Sequence, residues 1–340
     1  MAIFRVSAID GALCLADDRH GDFQTALERR LAAVGPDDPV VVLVHGFRFA
    51  PAPDGGIGAA RDPHRLLYAL TPDRTCWKLA SWPGGLGFGA GQAPGLCIGF
   101  AWPGHAPHPA ALLAERRTGL AVAYDRAGAA GACLAQLLNA VAACRPGRPI
   151  DMLAHSLGAR VALAALPYLE APAAWALGRM ILLGAAEFAG VAAERLARLP
   201  SGASPEIYNV TARANDLYDW LFERAAPGDR RDRALGHGLV CPPRGWIDLQ
   251  LDHPTVRRSL AMRGVDIAPP RRRICHWSFY AAPGAMELYA RILRDRAVWS
   301  VEALSALLGQ VEVEPRWAHL LPHALHPSLT ALRPPRLRRA

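Results

Sequence analysis

The sequence contains a single lysine, Lys78, among its 38 basic residues, although its formal net charge is +8. The other basic residues are arginines, and they are spread along the chain instead of forming one basic patch. Nucleic-acid binding usually requires such a patch or stripe. The short run Arg271–Arg273 is typical of a solvated loop. We therefore expect no nucleic-acid partner.

The seven cysteines include no Cys-x-x-Cys pair, and an odd number cannot all pair within one chain. Several lie inside apolar segments, which predicts buried free thiols in a reducing compartment. No signal peptide is indicated, since Arg5 interrupts the apolar N-terminus. Long uncharged apolar runs are also missing, because the best stretch, residues 173–189, contains Arg179 and Glu187. We expect a cytoplasmic protein without a membrane span.

Hydrophobic residues make up 51% of the 340 residues, so the chain can bury a large core. We predict a single α/β domain over residues 1–310. Proline and glycine concentrate in residues 48–95, which predicts a loop-rich, cap-like insertion, and residues 225–275 are predicted to be an irregular segment before the last helices. Proline, arginine and histidine dominate a C-terminal tail, residues 311–340. Nothing in the pattern indicates an oligomeric state.

Short apolar runs alternate with segments of helical periodicity. Residues 3–9 and 13–16 flank Asp10-Gly11, a pair typical of a two-residue hairpin. Continuous apolar runs predict further strands, at residues 39–44, 96–102, 150–154, 180–183, 206–211 and 246–251. Periodic segments predict helices, at residues 23–34, 66–70, 112–144, 191–199, 217–224 and 286–293. Strand, long helix and strand in succession form a βαβ unit, so we predict a mostly parallel central sheet flanked by helices, with the insertion after the third strand.

One stretch compresses a strand, a turn and a helix without a linker. The apolar run 150–154 leads directly into His155-Ser156, and an alanine- and leucine-rich helical segment follows at once. The residues two before and two after Ser156 are small, Ala154 and Gly158, which lets strand and helix approach closely around a tight turn. Ser156 would stand at the tip, next to the free N–H groups of a helix start. A serine that merely caps the helix would produce the same local pattern.

A second stretch places a glycine at a strand exit. The buried strand 39–44 ends in His45-Gly46-Phe47. A glycine at this point lets the backbone approach a substrate's carbonyl oxygen, where a side chain would obstruct it.

Together, Ala154-His155-Ser156-Leu157-Gly158 and His45-Gly46-Phe47 resemble the nucleophile elbow and the oxyanion loop of the α/β-hydrolase superfamily, with Ala154 in place of the usual first glycine. The resemblance implies the α/β-hydrolase fold, Ser156 as nucleophile, and an oxyanion hole formed by the N–H groups of Phe47 and Leu157. It also implies the chain order serine, acid, histidine.

Two acidic residues follow strands downstream of Ser156. Asp216 follows the strand 206–211, where the family usually carries its acid, whereas Glu187 lies one strand earlier. We prefer Asp216 over Glu187. An aspartate that caps the next helix is the alternative interpretation of Asp216.

Of the histidines that follow Asp216, His276 and His253 are the candidates for the general base. His276 lies in a loop ahead of the amphipathic helix 286–293, which is the family's arrangement. His253 ends the strand 246–251, but Pro254 follows immediately. We prefer His276 and keep His253 as the alternative.

The resemblance implies a serine hydrolase that cleaves a carboxylic ester, with a small-molecule acyl substrate and no metal or organic cofactor. Thioester hydrolysis, amide hydrolysis and acyl transfer use the same machinery, and a non-catalytic binding protein of this fold is a further alternative. Trp82, Leu86 and Phe88, from the insertion, and His155, next to the nucleophile, are the candidate substrate-binding residues. The three insertion residues also suit a loop anchored to the core.

Overall fold

The computed structural model describes residues 3–52, 57–74, 76–89, 93–106, 118–309, 311 and 313–320. Eight strands within them form one sheet. In chain order the strands are β1 (Ile3–Ile9), β2 (Ala12–Leu15), β3 (Val40–Val44), β4 (Leu96–Ala101), β5 (Ile150–His155), β6 (Leu177–Leu183), β7 (Glu206–Thr211) and β8 (Trp246–Gln250). The predicted strands are therefore confirmed, with bounds that shift by at most three residues.

The strands are arranged in the order β2-β1-β4-β3-β5-β6-β7-β8. Only β1 and β2 are antiparallel, and they form the predicted hairpin, with Asp10 and Gly11 at positive φ in its turn. All other neighbours are parallel. The mostly parallel α/β sheet is thus confirmed, and in such sheets ligands bind at the carboxyl ends of the strands.

Helices cover both faces of the sheet. Within the described residues they are α1 (Phe23–Ala32), α2 (Pro63–Leu66), α3 (Trp82–Gly85), α4 (Gly119–Cys144), α5 (Leu157–Ala165), α6 (Ala171–Ala176), α7 (Ala189–Leu196), α8 (Asp216–Ala225), α9 (Pro254–Met262), α10 (Ser278–Ala281), α11 (Ala285–Arg294) and α12 (Val301–Leu308). Because side chains alternate along a strand, Val40, Val42 and Val44 of β3 join one apolar core, and Val41 and Leu43 join the other. This explains why β3 is apolar throughout.

Helix α4 is long and apolar enough, by length and composition alone, to cross a membrane. Residues 173–189 were expected to be the most apolar stretch, but the structure divides them between α6, β6 and a loop. Of the most apolar window of α4, 56% is buried inside the fold, where the helix packs along α5. Core helices pass the same test, so α4 is only weak evidence for a span.

The insertion contains two short helices. The helix predicted at residues 66–70 is wrong: α2 lies at Pro63–Leu66, because the Asp62 carboxylate caps it and Pro63 suits its first turn. Helix α3 begins at Trp82, capped by the Ser81 hydroxyl. Parts of the insertion, residues 53–56, 75 and 90–92, lie outside the described residues.

The segment 225–275, predicted to be irregular, contains β8 and α9. The start of the predicted tail docks on the fold, since Trp317 donates its backbone N–H to Asp216 Oδ2 at 2.6 Å and Arg316 pairs with Glu223 at 2.9 Å. The rest of the tail, residues 321–340, lies outside the described residues, as do residues 112–117 of the predicted long helix.

Candidate active site

The exits of β3 and β5 meet at a reversal of strand order. Strand β3 pairs with β4 on one side and with β5 on the other. The chain runs from β3 to β4 and then crosses to β5, and ligands bind in α/β sheets at the carboxyl end of such a switch point. His45-Gly46 and His155-Ser156 are the residues at these two exits.

Ser156 occupies a strained backbone conformation between β5 and α5. Its φ is 57° and its ψ is −124°, which is unusual for a residue with a side chain. Such a conformation costs about 1 to 3 kcal/mol and is retained when the surroundings fix it. Two backbone bonds fix it here: the Ser156 N–H donates to Leu183 O at 2.9 Å, and its carbonyl accepts from Ala186 N at 3.1 Å. The predicted strand, turn and helix around Ser156 are therefore present.

Two glycines let the elbow approach β3. A β-carbon on Gly158 would collide with the carbonyl oxygens of Val44 and His45. A β-carbon on Gly46 would lie 2.8 Å from Ser156 Cβ and 2.9 Å from His155 O. Both positions require glycine because backbone, not a flexible side chain, occupies the space.

His45 braces the loop that follows β3. Its Nδ1 donates to Gly46 O at 2.8 Å, while its Nε2 accepts from Trp102 N at 3.0 Å. The Trp102 indole donates to His45 O at 2.8 Å and stacks on the imidazole with centroids 5.4 Å apart. Burial lowers the pKa of His45 to about 3. His45 is therefore a neutral, fully bonded structural residue that positions Gly46.

The predicted oxyanion donors flank the contact between the two loops. Phe47 follows Gly46, and the next residue, Arg48, turns the chain with φ 78° and donates its N–H to Gly104 O at 2.8 Å. Leu157 is the first residue of α5, so its N–H has no acceptor within the helix. Among the described residues, neither the Phe47 N–H nor the Leu157 N–H donates a hydrogen bond outside its own element.

His276 lies at the same edge of the sheet as Ser156. Cys275 N donates to Ala214 O at 2.8 Å, which ties this loop to the exit of β7. The His276 carbonyl accepts from His155 Nε2 at 3.1 Å, and the two imidazole centroids are 4.7 Å apart. Burial, with a smaller contribution from His155, lowers the pKa of His276 well below its usual range. The imidazole is therefore held neutral, as a general base must be.

Asn215, not Asp216, contacts His276. His276 Nδ1 donates to Asn215 Oδ1 at 2.7 Å. The predicted acid, Asp216, points elsewhere: its Oδ2 accepts from Trp317 N, and its Oδ1 lies 3.5 Å from Arg213 Nη1. Asp216 was predicted to orient His276, but the adjacent residue Asn215 contacts the imidazole instead. Asn215 ends a 3-10 turn and Asp216 begins the helix, so their two side chains point in different directions.

The two alternative candidates lie away from His276. Glu187 is completely buried and accepts hydrogen bonds from Tyr124, Arg160 and Arg195 at 2.7, 2.7 and 2.9 Å, so it neutralises an internal cationic cluster. His253 caps α9 and accepts from Thr255 N at 3.1 Å. It follows β8, three strands from β5, which separates the two exits by roughly 14 Å.

Of the predicted substrate-binding residues, three belong to the core. Trp82, Leu86 and Phe88 are fully buried in the apolar cluster on one face of the sheet, so they anchor the insertion. His155 is also buried, and burial lowers its pKa to about 4. The Trp82 and His155 rings pack edge to face, with their centroids 6.4 Å apart.

Within the described residues, no hydrogen bond joins the Ser156 hydroxyl to His276 or His253. Elsewhere in the described residues, the Ser7 hydroxyl and His64 Nε2 are hydrogen-bonded at 3.1 Å. Ser7 is buried within the ordinary strand β1, and burial lowers the pKa of His64 to about 3. This pair has neither an elbow nor a helix start beside the serine, so it is structural.

One group of potential metal ligands borders the site. Atoms of Asp216, Asp219 and His237 lie within 4.8 Å of one another. However, Arg213 Nη1 donates to His237 Nδ1 at 3.1 Å, which leaves the proton of the neutral ring on Nε2, and neither nitrogen offers a lone pair to a metal. The Arg213 guanidinium would also repel a cation. In a second group, Asp252, Glu314 and His319, the Asp252 oxygens already accept from Ala214 N and Gln250 Nε2.

The sequence reasoning missed Asn215 and Tyr218. The Tyr218 ring stacks on His276 with centroids 4.8 Å apart and planes inclined by 26°. Both residues follow β7, where a catalytic partner was expected, but an asparagine offers no charge that would have distinguished it.

No protein-family model matches the chain, and no curated protein matches its sequence.

Proposed function

We propose that the chain is an α/β-hydrolase-type serine hydrolase that cleaves a carboxylic ester. The observation that carries the proposal is the backbone of Ser156, with φ 57° at the junction of β5 and α5. A capping serine has an extended backbone and a side chain bonded to its helix, whereas Ser156 has neither. Ser156 is 5% exposed, and the strained turn places it at the carboxyl edge of the sheet, between the exits of β3 and β5.

In the proposed reaction Ser156 Oγ attacks the acyl carbon, and the carbonyl π electrons move onto the oxygen. The N–H groups of Phe47 and Leu157 stabilise this oxyanion. His276 Nε2 accepts the hydroxyl proton and returns it to the departing alcohol oxygen. Water then attacks the acyl-enzyme in the same way and regenerates Ser156. Asn215 takes the place of Asp216 and holds the His276 ring through Nδ1.

The tautomer of His276 supports the role as base. The Asn215 oxygen can only accept, so the proton lies on His276 Nδ1 and the lone pair on Nε2. The described part of the chain has no hydrogen bond between the Ser156 hydroxyl and His276, so the proposal requires that the two side chains come together when substrate binds.

A non-catalytic binding protein of the same fold is the second candidate. The observation that favours it is the amide of Asn215, which stabilises a cationic imidazole less than a carboxylate does.

Labelling with a fluorophosphonate probe distinguishes the two candidates. We expect wild type and Ser7→Ala to be labelled and Ser156→Ala to be unlabelled but folded by circular dichroism. Ser7→Ala is the matched control because it removes the serine that is hydrogen-bonded to a histidine without touching the elbow. A folded wild-type protein that does not react would refute the hydrolase and leave the binding protein.

A further inference from the structure

Asn215 has a second polar partner, the buried carboxylate of Asp219. Asn215 Nδ2 donates to Asp219 Oδ1 at 2.9 Å, while Asn215 Oδ1 accepts from His276 Nδ1. The two residues are four apart across the start of α8, a spacing that brings side chains together on a helix. His276, Asn215 and Asp219 therefore form one chain of hydrogen bonds.

When Asp219 is ionised, the hydrogen bonds that join Asp219, Asn215 and His276 allow one arrangement of protons. A carboxylate accepts, so the amide must turn its NH₂ toward Asp219 and its oxygen toward His276. The oxygen in turn requires the proton of the imidazole on Nδ1. Asp219 thus determines, through Asn215, that His276 Nε2 carries the lone pair.

We infer that Asp219 is a positioning residue, which acts through Asn215 to hold His276 in the tautomer that can accept the proton of Ser156. The inference rests on the proposed function. In this arrangement the carboxylate that orients His276 belongs to Asp219, which acts through Asn215 and does not contact the histidine itself.

The Asp219 carboxyl is buried among charged and titratable side chains. It is 3% exposed, and its neighbours are Arg213, Asp216, His237, Glu223 and Arg316. Burial, opposed by Arg213 and assisted by Asp216, raises its pKa to about 7. When Asp219 takes up a proton, the amide keeps its orientation only if the proton lies on Oδ2, the oxygen that has no hydrogen-bond partner within the described residues, because Oδ1 then still accepts from Asn215.

Removing the acceptor should release the amide. In Asp219→Ala, Asn215 can present either its oxygen or its NH₂ to His276, and the second orientation places the imidazole proton on Nε2, where it blocks proton transfer. We expect the rate constant for fluorophosphonate labelling to fall by about 10- to 100-fold, the range typical of lost supporting hydrogen bonds.

Exchanging the two side chains is the sharper test. In N215D alone, a carboxylate lies beside Asp219, whose pKa is already raised to about 7, so the pair shares a proton until the pH is raised further. Above that pH the two carboxylates repel each other, and labelling measured there should slow at least as much. In N215D/D219N, the new amide donates to the carboxylate at position 215, which accepts from His276 Nδ1, so every hydrogen bond is restored. We expect the double variant to label at least 10-fold faster than N215D, with the acidic limb of its pH profile shifted upward, because a carboxylate now raises the pKa of His276.

A matched exchange exists elsewhere in the sheet. Asn209 Nδ2 donates to Asp248 Oδ1 at 2.7 Å and also to Leu235 O at 2.8 Å, without a contact to His276. The exchange N209D/D248N should leave both the labelling rate and the pH profile unchanged. A double variant at positions 215 and 219 that is no faster than N215D would overturn the inference, as would an equal response at positions 209 and 248.

Nitrogen-15 NMR of the imidazole tests the relay without activity. We expect His276 in the wild type to carry its proton on Nδ1. Asp219→Ala or, if that variant does not fold, Asp219→Asn, whose amide can donate to the Asn215 oxygen and so turn the Asn215 NH₂ toward the ring, should show the Nε2-protonated form. An unchanged tautomer in a folded variant would overturn the relay. An unlabelled wild type whose tautomer responds as expected would refute the hydrolase alone.

Discussion

A β-carbon placed on Gly46 would lie 2.8 Å from Ser156 Cβ, closer than two such atoms approach in proteins. The loop after β3 and the elbow after β5 can therefore approach this closely only because Gly46 has no side chain. Phe47 follows Gly46 directly and Leu157 follows Ser156 directly, so the two proposed oxyanion donors are the next residues on either side of this contact.

The first prediction concerns this contact. In Gly46→Ala the loop must move away from the elbow, since the neighbouring atoms include the His155 carbonyl and cannot rotate aside. We expect fluorophosphonate labelling to slow by about 100-fold, the effect of losing one oxyanion donor. Gly147→Ala is the control: Gly147 has φ 70° and open space around it, so the variant should lose about 1 kcal/mol of stability without slower labelling. Equal labelling rates in the two variants would contradict the prediction.

The second prediction concerns the ring that covers His276. Tyr218 stacks on the imidazole, and within the described residues its hydroxyl makes no hydrogen bond. We expect Tyr218→Phe to label as fast as the wild type, because it keeps the ring. Tyr218→Ala should label about 10-fold more slowly, because water then reaches the imidazole and the ring is free to turn. The rate constants should be compared at one pH, and a slow Tyr218→Phe would assign the hydroxyl a role that the structure does not indicate.

The sheet was predictable because its signals are local. Continuous apolar runs such as β3 are stable only when both faces are covered, so the sequence alone indicates a parallel sheet between helices. Ser156 and Gly46 were predictable for the same reason, since small residues around a strand exit determine the local backbone.

The partner of His276 was not predictable because two adjacent polar residues compete for it. Asn215 and Asp216 follow the same strand, and which side chain faces the histidine depends on how the 3-10 turn before α8 is rotated. Docking of Trp317 and the position of Arg213 turn Asp216 away, and both contacts depend on tertiary structure. In the sequence, its charge made Asp216 the preferred partner of His276. The role of Asn215 becomes visible only from its hydrogen bonds in the folded structure.

The third prediction tests the alternative acid. Glu187 accepts bonds from two arginines and a tyrosine and contacts neither His276 nor Ser156. Glu187→Gln leaves buried guanidinium groups without a counter-charge, so we expect about 3 kcal/mol of destabilisation by urea unfolding. The labelling rate of the folded fraction should equal that of the wild type. A loss of labelling in the folded protein would indicate that Glu187, and not only its ion pairs in the core, is needed for the reaction.

The fourth prediction concerns acid stability. His64 is 3% exposed, and burial lowers its pKa to about 3, against 6.5 in the unfolded chain. Because the folded pKa is depressed, the contribution of His64 is complete above pH 6.5 and is lost as the pH falls toward 3, since only the unfolded chain binds the proton. Each pH unit in this window costs about 1.4 kcal/mol.

The variant His64→Gln removes this titration while its amide can still bond to Ser7. Urea unfolding at pH 7 and pH 5 should show the free energy of unfolding of the variant gaining about 2 kcal/mol on the wild type over this interval, which is the cost per pH unit applied from pH 6.5 to pH 5. His20→Gln, at an exposed position, is the control and should show no comparable gain. A difference between His64→Gln and wild type that stays constant with pH would mean that His64 takes up its proton in the folded protein, which the apolar packing around it opposes.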